Sequence, residues 1–150
     1  MTGHSKNSEQ SKAVVNAYYQ AGVRLRLTDF APQLHPDFTT TAPNYLPWGG
    51  VHRGAAFFRD EVLPKLPDVL DFGRFSYDSL VAEGERVVAL VNFGVTGTHA
   101  MIKISEHWTI NHGKANSILV AYFEPQALLE KLGIAHGLTP LTGHIVAFTQ

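Results

Sequence analysis

The chain has no cysteine, no low-complexity stretch and a net charge of only -1, and no apolar run is long enough to cross a bilayer. Each absence argues against a class of protein. Without cysteine there is no disulfide framework, no thiolate nucleophile and no cysteine metal site. Without a basic stripe, nucleic acid is not an expected partner. The opening MTGHSKNSEQSK is polar and lacks an apolar signal core, so no membrane partner is expected and the cytoplasm is the expected location. Eight histidines are present, but no pair has a metal-site spacing such as HExxH. His99, His107 and His112 fall at turns or on polar strand positions, so no metal is expected. There is no Ser/His/Asp elbow, and Gly49-Gly50 is not followed by the Lys-Ser/Thr of a phosphate-binding loop. What is present is 150 residues, 45% of them hydrophobic, read as a single domain over 1–150 with a sizeable core. A loose tail is expected over 1–7 and a C-terminal extension over 133–150.

The periodicity changes once along the chain. From Ser8 to Leu27 it is helical, with Val14, Val15, Tyr18, Ala21, Gly22 and Leu25 on one face, Tyr19 at its margin and Ser8 as N-cap. A short helix follows Thr28, and His35-Pro36-Asp37 ends it. Phe38–Thr41 reads as a strand, and Gly54 to about Leu66 as a third helix. From residue 74 the period is two. Arg74–Ala82, Arg86–Thr96, Ala100–Ile110 and Ala115–Phe123 read as four long strands with glycine-marked turns, an antiparallel meander. Pro125–Leu132 suits a short helix, and a weak strand pattern occurs at His144–Phe148. Helices followed by consecutive hairpins give an α+β domain with the helices on one face of the sheet.

The most distinctive motif is Leu46–Gly54, LPWGGVHRG, in which two glycines turn the chain beside a large indole. Trp108, Gly113-Lys114 and Tyr122-Phe123-Glu124 follow later. With the element order, these motifs resemble the SnoaL-like and ketosteroid-isomerase-like proteins of the NTF2-like superfamily. Many SnoaL-like proteins carry a PYGGxYRG-like segment after the first strand, then a tryptophan, a Gly-Lys turn and a Tyr-x-Asp ending; this chain has Glu124 in place of that aspartate. The resemblance spans roughly Val14 to Leu132. It implies the NTF2-like (cystatin-like) cone, a curved antiparallel sheet wrapped around three N-terminal helices with a short C-terminal helix. It also implies a small-molecule pocket in the cone, though not one particular reaction. The position of the usual isomerase base falls near Ala42, where no carboxylate stands.

Glu106 is the leading catalytic candidate. On its strand it alternates with Ile102, Ile104, Trp108 and Ile110, which places a carboxylate on the apolar face. Burial there would raise its pKa toward that of a general acid or base at neutral pH, unless a Tyr or Arg partner makes it structural. Tyr18, in the middle of the helical stripe, is the second: its hydroxyl can donate to a developing oxyanion or simply bond a core carbonyl. Trp48 and His52 in the rim loop, with Phe57, Trp108 and Tyr122, are the expected pocket wall, with core packing the alternative for Trp108, and Asn92 is read as a buried amide offered to the ligand or else as a strand-edge residue. Arg53 is read as an anchor for the loop, bonding backbone carbonyls or pairing with Asp60 or Glu124. The expected function is cofactor-free acid/base chemistry (isomerase, cyclase or dehydratase) on a hydrophobic oxygenated small molecule. A non-catalytic binding module and a dimeric interaction domain are the alternatives. Apolar residues on the outer face of the sheet lead us to expect a homodimer packed sheet to sheet.

Overall fold

A computed structural model describes residues 2–134; the strand pattern at His144–Phe148 and most of the C-terminal extension lie outside them. Helix α1 spans Thr2–Val23, beginning six residues before the expected cap. Helical hydrogen bonding continues through the polar opening although that stretch has little to bury. Ser8 lies within the helix, and its hydroxyl accepts a hydrogen bond from the Gly84 amide at 2.9 Å. The helix also stops earlier than its apolar pattern. The Arg26 amide donates back to the Ala21 carbonyl at 2.8 Å, and Leu25 adopts φ 60. That left-handed residue turns Leu25 outward, 82% exposed, off the face to which periodicity assigned it.

The second helix is a 3-10 segment, Leu27–Gln33, with Pro32 inside it. It leads into β1 (Leu34–Ala42), longer than the four residues expected. Pro36 is tolerated near the start of β1 because pairing there is irregular, so its missing N–H breaks no regular ladder. A loop not read as leading to a strand, Pro43–Gly49, delivers a short β2 (Gly50–Arg53) that pairs antiparallel with β1. A Cβ on Gly49 would lie 2.0 Å from the Pro43 carbonyl oxygen, and Gly50 has φ 90. The glycine pair is therefore required by the geometry of the rim. The expected third helix is brief: α2 (Ala55–Phe57) widens into a π-turn, Phe58–Val62, and stops just before Pro64.

The four long strands form as read, with β3 starting earlier: β3 (Leu70–Glu83), β4 (Arg86–Val95), β5 (Met101–Asn111) and β6 (Lys114–Tyr122). Helix α3 (Gln126–Leu132) follows and ends on Gly133 in the left-handed region. The six strands lie in the order β2-β1-β6-β5-β4-β3. One pair departs from the antiparallel expectation, because β1 runs parallel to β6. The chain reaches that pairing through four strands linked by three hairpins, and only the last of the four, β6, lies beside β1. Register shifts in β3 between Asp71 and Ser79 bend the sheet.

The concave face closes over α1, which touches β3, β4, β5 and β6. Gly22 lets the helix approach the sheet, since a Cβ there would fall 2.1 Å from the Phe72 ring. The core is aromatic. The Tyr18 ring lies 4.9 Å from Tyr19, 5.4 Å from Phe30 and 5.0 Å from Trp108, each pair edge to face. No helix of the described residues is long and apolar enough to cross a membrane.

Candidate active site

Strand β5 sets the site. Its inward positions, Ile102, Ile104, Glu106, Trp108 and Ile110, are all buried, as alternation requires. Glu106 is thus held by two β-ladders in the middle of an apolar face, where Ala89 and Val120 are its cross-strand neighbours. A carboxylate so placed must find a partner or keep its proton. Burial pushes its pKa from the ordinary 4.5 up to about 7, and a hydrogen bond from a tyrosine partly offsets that rise. No cation among the described residues contributes.

The tyrosine is Tyr19. Its hydroxyl donates to Glu106 Oε1 at 2.5 Å and accepts from Trp108 Nε1 at 3.2 Å. Tyr19 is fully buried, its ring stacked on Phe75 with centroids 5.0 Å apart. The helical stripe had placed it only at the margin. A helix seated in the concavity of a curved sheet is contacted over a wide arc, so two adjacent tyrosines both face protein. Tyr18 takes the neighbouring direction and lines a cavity with Glu106.

The space in that cavity is only about 20 Å³, room for a single water. Glu106, Tyr18, Tyr122 and Thr40 supply its polar atoms, against walls that include Trp48 and Phe58. Tyr18 and Tyr122 make no hydrogen bond among the described residues, unlike Tyr19 and Tyr77. Burial first, then the nearby Glu106 carboxylate, raises both phenols far above the ordinary value, so both stay protonated donors. Thr40 was not anticipated. The signal existed: Phe38, Thr40 and Ala42 alternate on β1, and all three are buried.

Several expected wall residues stand elsewhere. Trp48 lines the cavity from the rim, as read. His52 and Phe57 do not reach it; their rings stack on one another at 3.7 Å, and His52 Nε2 donates to the Gly49 carbonyl at 2.7 Å. They brace the rim loop from outside. Trp108 is packed in the core beneath the cavity, holding Tyr19. Arg53 is exposed, and Asp60 pairs with the adjacent Arg59 instead. Asn92 is on the opposite side of the sheet. Its amide donates to Asp78 Oδ1 at 2.8 Å and to Ser76 Oγ at 3.2 Å, and its carbonyl accepts from Lys103 at 2.8 Å. Strand β4 reads VVALVNFGV, apolar in both phases, so alternation could not choose between faces. The buried phase is Val87, Ala89, Val91, Phe93 and Val95, which turns Asn92 outward.

Comparison with known proteins agrees with this fold. The model of the SnoaL-like domain matches residues 15–118. No curated protein is similar enough in sequence to match. Among solved structures, one from Jannaschia sp. CCS1, provisionally described as a SnoaL-like polyketide cyclase, superposes with a TM-score of 0.66 at 11% identity, covering 81% of this chain and 91% of that one. One from Kribbella flavida DSM 17836, provisionally described as a ketosteroid isomerase, gives 0.65 at 17% identity, covering 79% and 81%. TerC, co-crystallised with polyporic acid, gives 0.60 at 23% identity, covering 76% and 92%. NTF2-like proteins of unknown function share the fold as well.

Proposed function

The chain belongs to the SnoaL-like family, and from that premise we propose that it transfers a proton beside a carbonyl group of a hydrophobic, oxygenated small molecule, without a cofactor. The observation that supports this reading most strongly is Glu106, buried on an apolar sheet face with a pKa of about 7 and sharing a cavity with two tyrosine hydroxyls that have no partner among the described residues. Near neutral pH both forms of the carboxyl are populated, so the group can take a proton and give it back. In the step proposed, the carboxylate removes hydrogen from the carbon next to the carbonyl. The C–H electron pair moves to form the enolate, and the oxygen that gains charge is met by the Tyr18 and Tyr122 hydroxyls. Return of the proton to a second carbon gives isomerisation; attack of the enolate on another carbonyl gives cyclisation. The solved structures described as an isomerase and a cyclase, and the one crystallised with polyporic acid, support a ligand of this kind.

Exchange of α-hydrogens for deuterium, followed by NMR, tests the reading on a panel of ketosteroids and hydroxylated aromatic ketones. Glu106→Gln is expected to slow exchange at least about 100-fold. Exchange at the wild-type rate in that variant would remove Glu106 from the chemistry. Binding without exchange would instead favour the non-catalytic binding module, whereas the narrowness of the cavity favours the dimeric interaction domain.

We also propose that two copies pack through the outer sheet face. Val81, Val88, His107 and Leu119 form a cross-strand row there, with Val81 57% and Leu119 47% exposed. A mostly apolar row on a broad sheet can meet its own copy about a two-fold axis. Light scattering at micromolar concentration should give twice the monomer mass, and Leu119→Asp should return it to the monomer value; a monomeric wild type would refute the proposal.

A further inference from the structure

The cavity beside Glu106 has about 20 Å³ of space, and the oxygen-bearing side chains of Glu106, Tyr18, Tyr122 and Thr40 all line it. Thr40 is 2% exposed, and its hydroxyl has no hydrogen-bond partner among the described residues. Its ladder neighbours supply none. Ile118 on β6 is apolar, and the His52 ring on β2 donates to the Gly49 carbonyl and stacks on Phe57. Tyr19 occupies Oε1 of Glu106, but the Tyr18 and Tyr122 hydroxyls have no such partner among the described residues. Buried hydroxyls without partners are unfavourable, and three of them around one small space call for a common explanation.

A buried water needs about 10–15 Å³ of such space and two to four polar partners. The cavity meets both conditions. Its donors and acceptors also balance around a water. Burial keeps both phenols protonated, so each has a hydrogen to give to the water oxygen. The two hydrogens of the water can then go to the Thr40 hydroxyl oxygen and to the Glu106 carboxylate. When Glu106 takes up a proton, the water turns to accept from the acid, and a phenol oxygen accepts from the water instead.

We infer that one water molecule is bound between Glu106 and the hydroxyls of Tyr18, Tyr122 and Thr40, a partner that Glu106 keeps whether its carboxyl is neutral or charged. This rests on the cavity that the proposed function uses, but not on catalysis. Thr40 then has a structural reason to be polar, since it completes the surroundings of the water from β1.

The inference is tested by counting long-lived waters in solution with oxygen-17 relaxation dispersion, in the wild type and in Thr40→Ile. Isoleucine keeps the branch at Cβ that suits a strand, replaces the hydroxyl by carbon and carries one further methyl group into the space. The wild type is expected to hold one more long-lived water than the variant; equal counts would overturn the inference. A high-resolution crystal structure of the wild type supplies the second measurement, which decides the matter even where Thr40→Ile does not fold. It is expected to show a water about 2.6–3.2 Å from the Glu106 carboxyl and from at least two of the three hydroxyls. A cavity without that density would also overturn the inference. Neither measurement depends on turnover. Should the count differ by one while deuterium exchange is absent, the water stands and the Glu106 chemistry falls. Equal counts in a protein that exchanges would mean the reverse.

Discussion

Glu106→Gln is expected to stabilise the protein at pH 8.5 by about 3 kcal/mol and to leave it unchanged at pH 4. The sign follows from the direction of the shift. The folded carboxyl titrates at about 7, above its ordinary 4.5. Below 4.5 it is protonated in both the folded and unfolded chains, and its favourable contribution is fully present. Between 4.5 and 7 the unfolded chain gives up a proton that the folded chain keeps, so stability falls as pH rises. Above 7 a charge sits in the apolar cavity and the contribution is gone. Glutamine never ionises and still offers Tyr19 an acceptor oxygen, so the whole dependence disappears from the variant. In a chain of 150 residues the difference at pH 8.5 should appear as roughly 5–10 °C in melting temperature. Asp60, Asp71 and Asp78 are held below their ordinary range by hydrogen bonds from Arg59, Arg74 and Lys103, and their stabilisation is lost as pH falls. They are present in both proteins and cancel in the difference. Paired melting curves from pH 4 to 9 check the prediction; a variant less stable than the wild type at pH 8.5 would show that the carboxylate form is the one the fold needs.

Tyr19→Phe is expected to cost about 2 kcal/mol and to raise the Glu106 midpoint above 7. The buried Trp108 Nε1–H loses its acceptor, and Glu106 loses the hydrogen bond that holds its pKa down. The two effects are read separately, stability by denaturant titration and the midpoint by carbon NMR of the labelled side-chain carboxyl. Tyr18→Phe serves as the contrast. Tyr18 donates no hydrogen bond to Glu106, so its removal should leave the midpoint in place while lowering activity. A midpoint unmoved in Tyr19→Phe would mean that burial alone governs the carboxyl.

The difference between these two tyrosines shows how far the sequence carried. Strict alternation on β5 located Glu106 among buried neighbours, because a strand with one polar and one apolar phase admits a single orientation. The four long strands were legible from their length and glycine-marked turns, as was the α+β cone. Alternation failed on β4, where both phases are apolar and Asn92 was assigned to the wrong face. Helical periodicity resolved α1 as a face but not which of two adjacent tyrosines would meet Glu106, since roughly 100° separates neighbours and the enclosing sheet covers more than that. Strand β2 is four residues long and exists by virtue of its pairing with β1; nothing local in Gly50–Arg53 announces it. The parallel pairing of β1 with β6 is a property of the whole chain path and leaves no mark in either strand.

An indole nitrogen has a hydrogen and no lone pair to share, and this gives the run Trp108, Tyr19, Glu106 a fixed polarity. Because Trp108 can only give, the Tyr19 oxygen receives, and the phenol hydrogen is left pointing at Oε1. Were the acid proton also on Oε1, Tyr19 would donate to a hydroxyl oxygen, a poorer acceptor than the carbonyl oxygen of the acid. The proton of the neutral acid therefore belongs on Oε2, the oxygen that Tyr19 does not occupy. A tryptophan sealed beneath the cavity, out of reach of any ligand, thereby decides which of two chemically equivalent oxygens carries the mobile hydrogen.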